Sequence, residues 1–305
     1  MTLTEAGDPD DLDRAVAVFG EVRPRLFGIA YRMLGSATEA EDLVQDVWLR
    51  WQGTDRAAVV NPAAFLATAI TRLAINALQS ARARRETYIG SWLPEPVDTS
   101  ADPYLGAERA EALEFAVLLL MERLSPNERA AYVLREAFDY PYGEIADILA
   151  LSEPAVRQLV SRARKHVQAE RRAPVAPAEQ RRLLAAFVAA ARSGDLAVLE
   201  NLFAADVVSL ADSNGTVRAA SRTPIVGAAR LAKVVQAFAA AQFWDDVDVQ
   251  WASLNGQPSG LMLRAGEVFA ALTTTASAEG IDQVLWLMNP AKLAGAVTTD
   301  GSARS

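Results

Sequence analysis

Residues Ser125–Val167, SPNERAAYVLREAFDYPYGEIADILALSEPAVRQLVSRARKHV, read as a helix–turn–helix whose second helix carries its positive charge on one side. Ser125 and Glu128 have the spacing of a capping box, with Pro126 at the first helical position, where a missing N–H costs nothing. A helix from about Gly143 to Leu149 follows, with Ile145, Ile148 and Leu149 apolar, and then a three-residue turn, Ala150–Ser152. Ser152 caps a helix in which Val156, Leu159, Val160, Ala163 and Val167 recur at helical spacing. Between them lie Arg157, Gln158, Ser161, Arg162, Arg164 and Lys165. The apolar face packs against other helices, and the opposite face offers residue types that contact base edges and phosphates. For this helix taken alone, an amphipathic helix with a solvated basic side is the alternative.

Composition bounds the function without naming it. A chain of 305 residues with 51% hydrophobic content has room for two or more packed domains. It has no cysteine, which excludes disulfides, thiolate metal sites and a cysteine nucleophile. The opening MTLTEAGDPDDLDR is acidic and unlike a signal peptide, and the apolar runs are too short to span a bilayer. The expectation is a cytoplasmic protein with no membrane contact. A net charge of −8 opposes bulk nucleic-acid binding. Residues 1–172 carry 20 basic against 26 acidic side chains, but 155–172 hold Arg157, Arg162, Arg164, Lys165, Arg171 and Arg172 against Glu170 alone. Screening within about 8–10 Å lets such a local patch outweigh the total. Weak affinity for free DNA in the absence of a partner is expected.

The first hundred residues form a second helical unit. Leu12–Phe19 and Pro24–Leu34 read as helices, ended by Gly35, with Ser36 and Glu39 as another capping box. Ala40, Leu43, Val44, Val47, Trp48 and Trp51 then repeat at helical spacing, with Glu41, Asp42, Gln45, Asp46 and Arg50 on the other side. Gly53–Asn61 is a loop. Pro62 opens a long helix that ends in a cationic cluster, Arg82, Arg84 and Arg85. The aromatics Tyr31, Trp48, Trp51 and Phe65 are expected in the core.

Together the two units resemble a known pair. AYRMLGSATEAEDLVQDVWLRW resembles region 2 of bacterial sigma factors, and SEPAVRQLVSRARKHV resembles region 4, with nothing like regions 1.1 or 3 between them. That layout is the one found in the extracytoplasmic-function (group IV) sigma factors. The linker Tyr88–Pro96, YIGSWLPEP, is similar to the sigma-J-like group that carries a SnoaL-like C-terminal extension. The resemblance implies core RNA polymerase and promoter DNA as partners. It places polymerase docking on Asp42, Leu43, Gln45, Asp46 and Trp48. Capture of melted bases falls in the Gly53–Asn61 loop, with Asn61 as a hydrogen-bonding residue. Arg72, Asn76, Arg82, Arg84 and Arg85 serve the −10 backbone and duplex edge. In region 4, Arg157, Gln158 and Ser161 face −35 bases, while Arg162, Arg164 and Lys165 hold phosphates. The implied domains are region 2 at 1–86, a linker at 87–108, region 4 at 109–172 and a SnoaL-like regulatory domain at 178–305.

The linker is rich in Pro, Asp and Ser, and its acids Glu95, Asp98, Asp102 and Glu108 would repel DNA; a flexible spacer is the alternative. Beyond the hinge at 171–177, helices at Ala178–Arg192 and Asp195–Phe203 precede a strand at Val207–Ala211 and a tight turn at Asp212–Gly215. A helix near Ala228–Ala240 and strands at Asp246–Leu254, Gly260–Arg264, Glu267–Thr275 and Ile281–Asn289 follow. The fold class is therefore multi-domain: two all-α sigma domains plus an α+β SnoaL/NTF2-like cone. An enzyme in that cone is the rival reading. It fares poorly because the sole histidine is His166 and the last tyrosine is Tyr142, leaving Asp206, Asp212, Asp245, Asp246 and Asp248, each expected as a solvated acid. No cofactor is implied. A small-molecule pocket lined by Phe238, Phe243, Trp244, Trp251, Phe269 and Trp286 stays open. In the sigma-J-like group the C-terminal segments contact the sigma core, which here implies Trp92, Pro94, Asp212, Gly215, Asn289, Pro290 and Lys292. The group's DGGGK turn reads Asp212-Ser213-Asn214-Gly215-Thr216, and the lost glycines and lysine put that turn's contact in doubt. The NPDKL segment reads Asn289-Pro290-Ala291-Lys292-Leu293. A stand-alone helix-turn-helix regulator with a small-molecule sensor is the alternative function.

Overall fold

A single helix, α1 (Pro9–Leu34), stands where two were expected. Pro24 sets its ring against the carbonyl of the fourth residue back, normally at a cost of about 3 kcal/mol. The buried stripe Ala15, Phe19, Leu26, Ala30 and Met33 runs unbroken past it, and its burial outweighs that cost. The structure, a computed structural model, describes residues 9–99, 114–170, 172–218 and 220–293, with the side chains at 9–11, 82–84, 86 and 170 also outside it. Arg82, Arg84, Asp102, Glu108 and Arg171 therefore lie outside the described part.

Gly35 takes a left-handed φ of 67° and turns the chain into α2 (Ala37–Gln52), where Ser36 Oγ accepts from Glu39 N at 3.1 Å. In the loop that follows, Asp55 caps a short 3₁₀ turn, Arg56–Ala58, and Asn61 Oδ1 accepts from Ala64 N to start α3 (Pro62–Glu86). Next come α4 (Phe115–Met121) and α5 (Pro126–Tyr132), the latter with its capping box complete in both directions and extended by a π turn at Val133–Ala137. The two-helix motif itself is α6 (Tyr142–Leu149) and α7 (Glu153–Glu170), joined where Ala150 adopts φ 54°. α1–α3 and this motif share one compact unit. Arg129 is fully buried, donates to the Arg32 carbonyl at 3.0 Å and pairs with Glu122. Arg32 lies over the Phe138 ring, while Arg25 donates to the Phe138 carbonyl at 2.8 Å and sits over Tyr140.

The second unit is α+β. α8 (Pro177–Ser193) and α9 (Leu196–Leu202) precede β1 (Phe203–Asp212), the short β2 (Ile225–Val226) and α10 (Ala228–Ala240). The meander β3 (Asp248–Leu254), β4 (Gln257–Arg264), β5 (Glu267–Ser277) and β6 (Gly280–Leu287) follows, and α11 (Pro290–Leu293) ends the described chain. The sheet order is β2-β1-β6-β5-β4-β3, with β1 parallel to β6 and the other pairs antiparallel. One face packs Leu272, Val284 and Trp286 against Leu184 and Phe187 of α8 and Leu231 and Val235 of α10. The other face is covered by residues from before the helix-turn-helix: Leu93 of the linker and Phe115 and Leu119 of α4 join Leu261, Leu285 and Leu293. The described part of the linker is thus built into this unit.

β2 was not expected, because two residues carry no readable alternation. Gly280 closes the β5–β6 hairpin at φ 111°, and a Cβ there would sit 2.7 Å from the Leu202 carbonyl oxygen. Gly280→Ala is expected to destabilise the full-length protein by about 1–3 kcal/mol, read as a lower urea midpoint at unchanged slope. An unchanged midpoint would show that the hairpin relaxes freely.

Candidate functional site

α7 turns the sequence pattern into geometry. Val156, Leu159, Val160, Ala163 and Val167 are buried, and Arg157, Gln158, Ser161, Arg162, Arg164 and Lys165 are all exposed. The sequence does not reveal that the cations are already paired. Arg157 binds Glu153, Arg162 reaches Glu128 at 3.1 Å, and Arg164 reaches Glu136 at 2.7 Å. Arg172 is held by Asp206, Glu279 and Asp282. The excess of +5 counted along residues 155–172 is therefore largely balanced by carboxylates from elsewhere in the chain. The Glu136 carboxylate holds the Arg164 guanidinium above its ordinary pKa.

On α2, Asp42, Gln45 and Asp46 are exposed and Leu43 and Trp48 half-buried. Trp48 packs on Phe19, their ring centroids 5.0 Å apart, beside a shallow groove that also holds Arg23, Asp42 and Gln45. A second groove brings Arg72 and Asn76 of α3 together with Arg50 and Phe65. Phe65 was expected in the core with Tyr31 and Trp51; those two are buried, but Phe65 is 39% exposed. It falls at the edge of the buried stripe, where spacing alone does not separate the two fates. Arg72 donates through Nε to the Ile148 carbonyl at 3.0 Å, at the C-terminal end of α6, where helix carbonyls favour a cation. Asn61 is at the start of α3 with its amide oxygen used as the cap. Arg85 belongs to the second unit, its guanidinium 3.5 Å from the Trp92 ring centroid.

The linker segment meets the sheet at one buried carboxylate. Asp212, at the end of β1, has no exposed surface. It accepts from the Tyr88 hydroxyl, from Leu93 N at 2.8 Å and from Lys292 Nζ at 2.7 Å. Lys292 also donates to the Leu93 carbonyl, and Asn289 Nδ2 donates to the Tyr88 hydroxyl at 2.8 Å. Trp92 lies against both Arg85 and Lys292, whose Nζ is 4.4 Å from its ring centroid. Pro94 is buried, whereas Pro290 is exposed as the first residue of α11. Farther along, Val97 and Asn255 exchange two hydrogen bonds of 2.8 and 2.9 Å, and Asp98 forms a bridge with Leu254 at the end of β3.

Two expectations are corrected here. Asp212 is buried, not a solvated acid; Asp206, Asp245, Asp246 and Asp248 are exposed as expected. The tyrosine thought missing from the C-terminal domain arrives from the linker as Tyr88. The turn itself forms without the two glycines. Asn214 and Gly215 take φ of 46° and 75°, and Thr216 N donates back to the Ser213 carbonyl at 2.9 Å, a type I′ pattern that Asn-Gly adopts readily. A Cβ on Gly215 would lie 3.1 Å from Ile89 Cγ2, so the one glycine retained is where turn and linker touch. Of the six aromatics proposed to line a pocket, Phe238, Phe243, Trp244 and Trp286 line a cavity; Trp251 is half-exposed on β3, and Phe269 packs on Phe243.

Comparison with known proteins agrees with this architecture. The family pattern of sigma-70 region 2 matches residues 18–84, and that of sigma-70 region 4 matches 114–167. The chain is 41% identical over 216 residues to the ECF RNA polymerase sigma factor SigJ of Mycobacterium tuberculosis, covering 68% of each chain. The chain belongs to the extracytoplasmic-function RNA polymerase sigma factors. The same organism's ECF RNA polymerase sigma factor SigG is 30% identical over 280 residues, 81% of this chain and 72% of that one. The crystal structure of M. tuberculosis SigJ aligns with a TM-score of 0.72 at 32% identity, over 92% of this chain and 98% of that one.

In this sigma factor Tyr88, Lys292 and Asn289 form a clamp with Asp212, and the first two are shifted from their ordinary pKa values. Burial, reinforced by the Asp212 carboxylate, pushes the Tyr88 phenol well above 10.0. Burial pulls the Lys292 ammonium below 10.5 against the opposing pull of Asp212. The two act oppositely on stability. Tyr88 contributes fully below pH 10, and its share is lost as unfolded-state tyrosine ionises above that. Lys292 carries its burial penalty while charged and is relieved as pH rises toward 10.5. A near-ultraviolet titration isolates the phenol: Tyr88→Phe is expected to remove one tyrosine from the late-ionising step, and loss from the early step would contradict the buried bond. For α7, Glu136→Gln is expected to tighten binding to duplex DNA at low salt by up to about fivefold, the scale of one exposed ion pair. No change in a fluorescence-anisotropy titration would mean that the pair does not compete with phosphate.

Proposed function

We propose that this sigma factor docks on core RNA polymerase through the exposed acidic and amide face of α2, reads promoter DNA through α3 and α7, and is restrained by its own C-terminal domain through the linker. Asp42, Gln45 and Asp46 beside half-buried Leu43 and Trp48 suit a basic partner helix, the acids supplying charge and the flanks apolar area. Arg72, Asn76 and the exposed Phe65 share one groove, which suits an unstacked strand: aromatics stack on bases, and the polar groups follow the backbone. Arg157, Gln158 and Ser161 occupy the N-terminal half of α7, the half that meets bases, with Arg162, Arg164 and Lys165 behind them for phosphates.

The observation that carries the regulatory reading is the grip of Asp212 on Tyr88 and Leu93. Those residues belong to the segment that joins the two DNA-reading modules, and a segment held in a domain core is not available to follow the polymerase. Releasing it exposes a buried carboxylate and ammonium, and breaking such a pair from one side typically costs about 3–5 kcal/mol. Asp212 and Tyr88 are committed to each other and to Lys292, which favours a binding role over catalysis for this domain. Among the described residues no helix is long and apolar enough to cross a membrane.

Co-elution of the full-length protein with core RNA polymerase tests both parts. Wild-type protein is expected to co-elute, and an Asp42→Arg/Asp46→Arg variant to lose at least about tenfold in affinity, the scale for charge reversal in a docked pair. Tyr88→Phe and Asp212→Asn, checked for folding by circular dichroism, are expected to bind more tightly than wild type. Failure of folded wild-type protein to bind sinks the docking assignment; clamp variants that match wild type sink the restraint.

A further inference from the structure

Among α10, β1, β6 and residues Val217, Ala220, Ser221 and Ile225 the C-terminal domain has a cavity of about 120 Å³. Its walls are hydrocarbon and aromatic: Leu231, Val235 and Phe238 come from α10, and Phe243, Trp244 and Trp286 add further aromatic rings. Among the described residues no charged side chain lines it, and its polar side chains are Ser209, Ser221 and the indoles of Trp244 and Trp286. An ion placed there would lose its hydration with nothing to replace it, so the chemistry selects a neutral occupant. The volume is on the scale of apolar protein cavities that take up a single aromatic ring.

One group asks for a partner. Trp244 is more than nine-tenths buried, and its Nε1 makes no hydrogen bond within the protein. Indole N–H is a donor only, and an unpaired buried donor is costly, so an acceptor oxygen on the occupant would satisfy it.

The cavity also touches the clamp. Ala211 and Met288 line it, and the next residues along the chain are Asp212 and Asn289, the two that hold Tyr88. Met288 N donates to the Asp212 carbonyl at 2.7 Å, tying those two strand ends together. Gly90 of the linker lies beside Arg222 and Ala211: a Cβ there would lie 3.7 Å from Arg222 Cα and 3.9 Å from the Ala211 carbonyl oxygen. A molecule that shifts either wall acts directly on residues that grip the linker.

We propose that this cavity is a binding site for a neutral organic molecule of single-ring size bearing one hydrogen-bond acceptor, and that its occupancy changes the hold of the C-terminal domain on the linker. The second half rests on the restraint proposed above; the first stands without it. Fluorine NMR of the full-length protein with fluoroacetophenone, fluorotoluene and fluorobenzoate reads the site. The ketone is expected to bind saturably, the toluene more weakly by about fivefold for want of the acceptor, and the benzoate not at all. Ala220→Phe, in the wall segment, fills the space and is expected to abolish binding. Ser209→Leu, on β1, repeats the test if that variant does not fold. No saturable binding of the ketone, equal binding of the benzoate, or binding that survives both fillings overturns the site. Hydrogen exchange then reads the coupling at the Leu93 amide, which is bonded to Asp212. Saturating ketone is expected to change its exchange rate at least about threefold, which the loss of part of one hydrogen bond produces. Proven binding with unchanged exchange overturns the coupling, whereas failure of the restraint itself appears separately, in the polymerase affinity of Tyr88→Phe.

Discussion

A buried carboxylate must be neutralised and hydrogen-bonded or it destabilises the fold that holds it. Asp212 meets that demand with three donors from three places in the chain: the Tyr88 hydroxyl, the Leu93 amide and the Lys292 ammonium. None is supplied by its own strand. Much of the second unit follows from this. With Leu93 fixed at the end of β1, the linker lies across the sheet face opposite α8 and α10, and Phe115 and Leu293 complete the apolar layer there. That face would otherwise expose Leu261, Leu285 and Leu287 to water. A segment that looks like a tether between two helical modules is therefore structural material for a third.

The same economy governs charge. A sigma factor with a net charge of −8 still has to approach a polyanion. Its recognition helix carries enough cations, but Glu153, Glu128 and Glu136 sit beside Arg157, Arg162 and Arg164. Exposed pairs of this kind contribute little to stability. A phosphate that approaches one of these guanidiniums meets a carboxylate already in place.

Much of the fold is legible in the residues because local rules decide it. The Ser125–Glu128 capping box, α10 at Ala228–Ala240 and the buried and exposed faces of α7 follow from spacing and caps, which act within a turn or two of helix. Local reading failed where a longer-range balance intervened. Pro24 suggests a new helix, but the apolar stripe on either side continues and one helix forms. Phe65 has the look of a core residue and Asp212 of a surface acid, and each is the reverse. Trp251 seemed a pocket aromatic, yet it lies half-exposed on β3, an edge strand of the sheet.

The amino-acid sequence by itself determined the helices and their faces, the strands of the meander, the family of the protein and the residue types available to meet DNA. Those depend on patterns whose physical range is short and whose period can be counted. Only the tertiary structure decided that Tyr88 and Leu93 close around Asp212, that the arginines of α7 are paired, and that Ala211 and Met288 connect a cavity to the clamp. Those facts depend on which groups the fold brings together, in the case of Tyr88 and Leu93 with Asp212 from positions more than a hundred residues apart, where spacing along the chain does not select the partner.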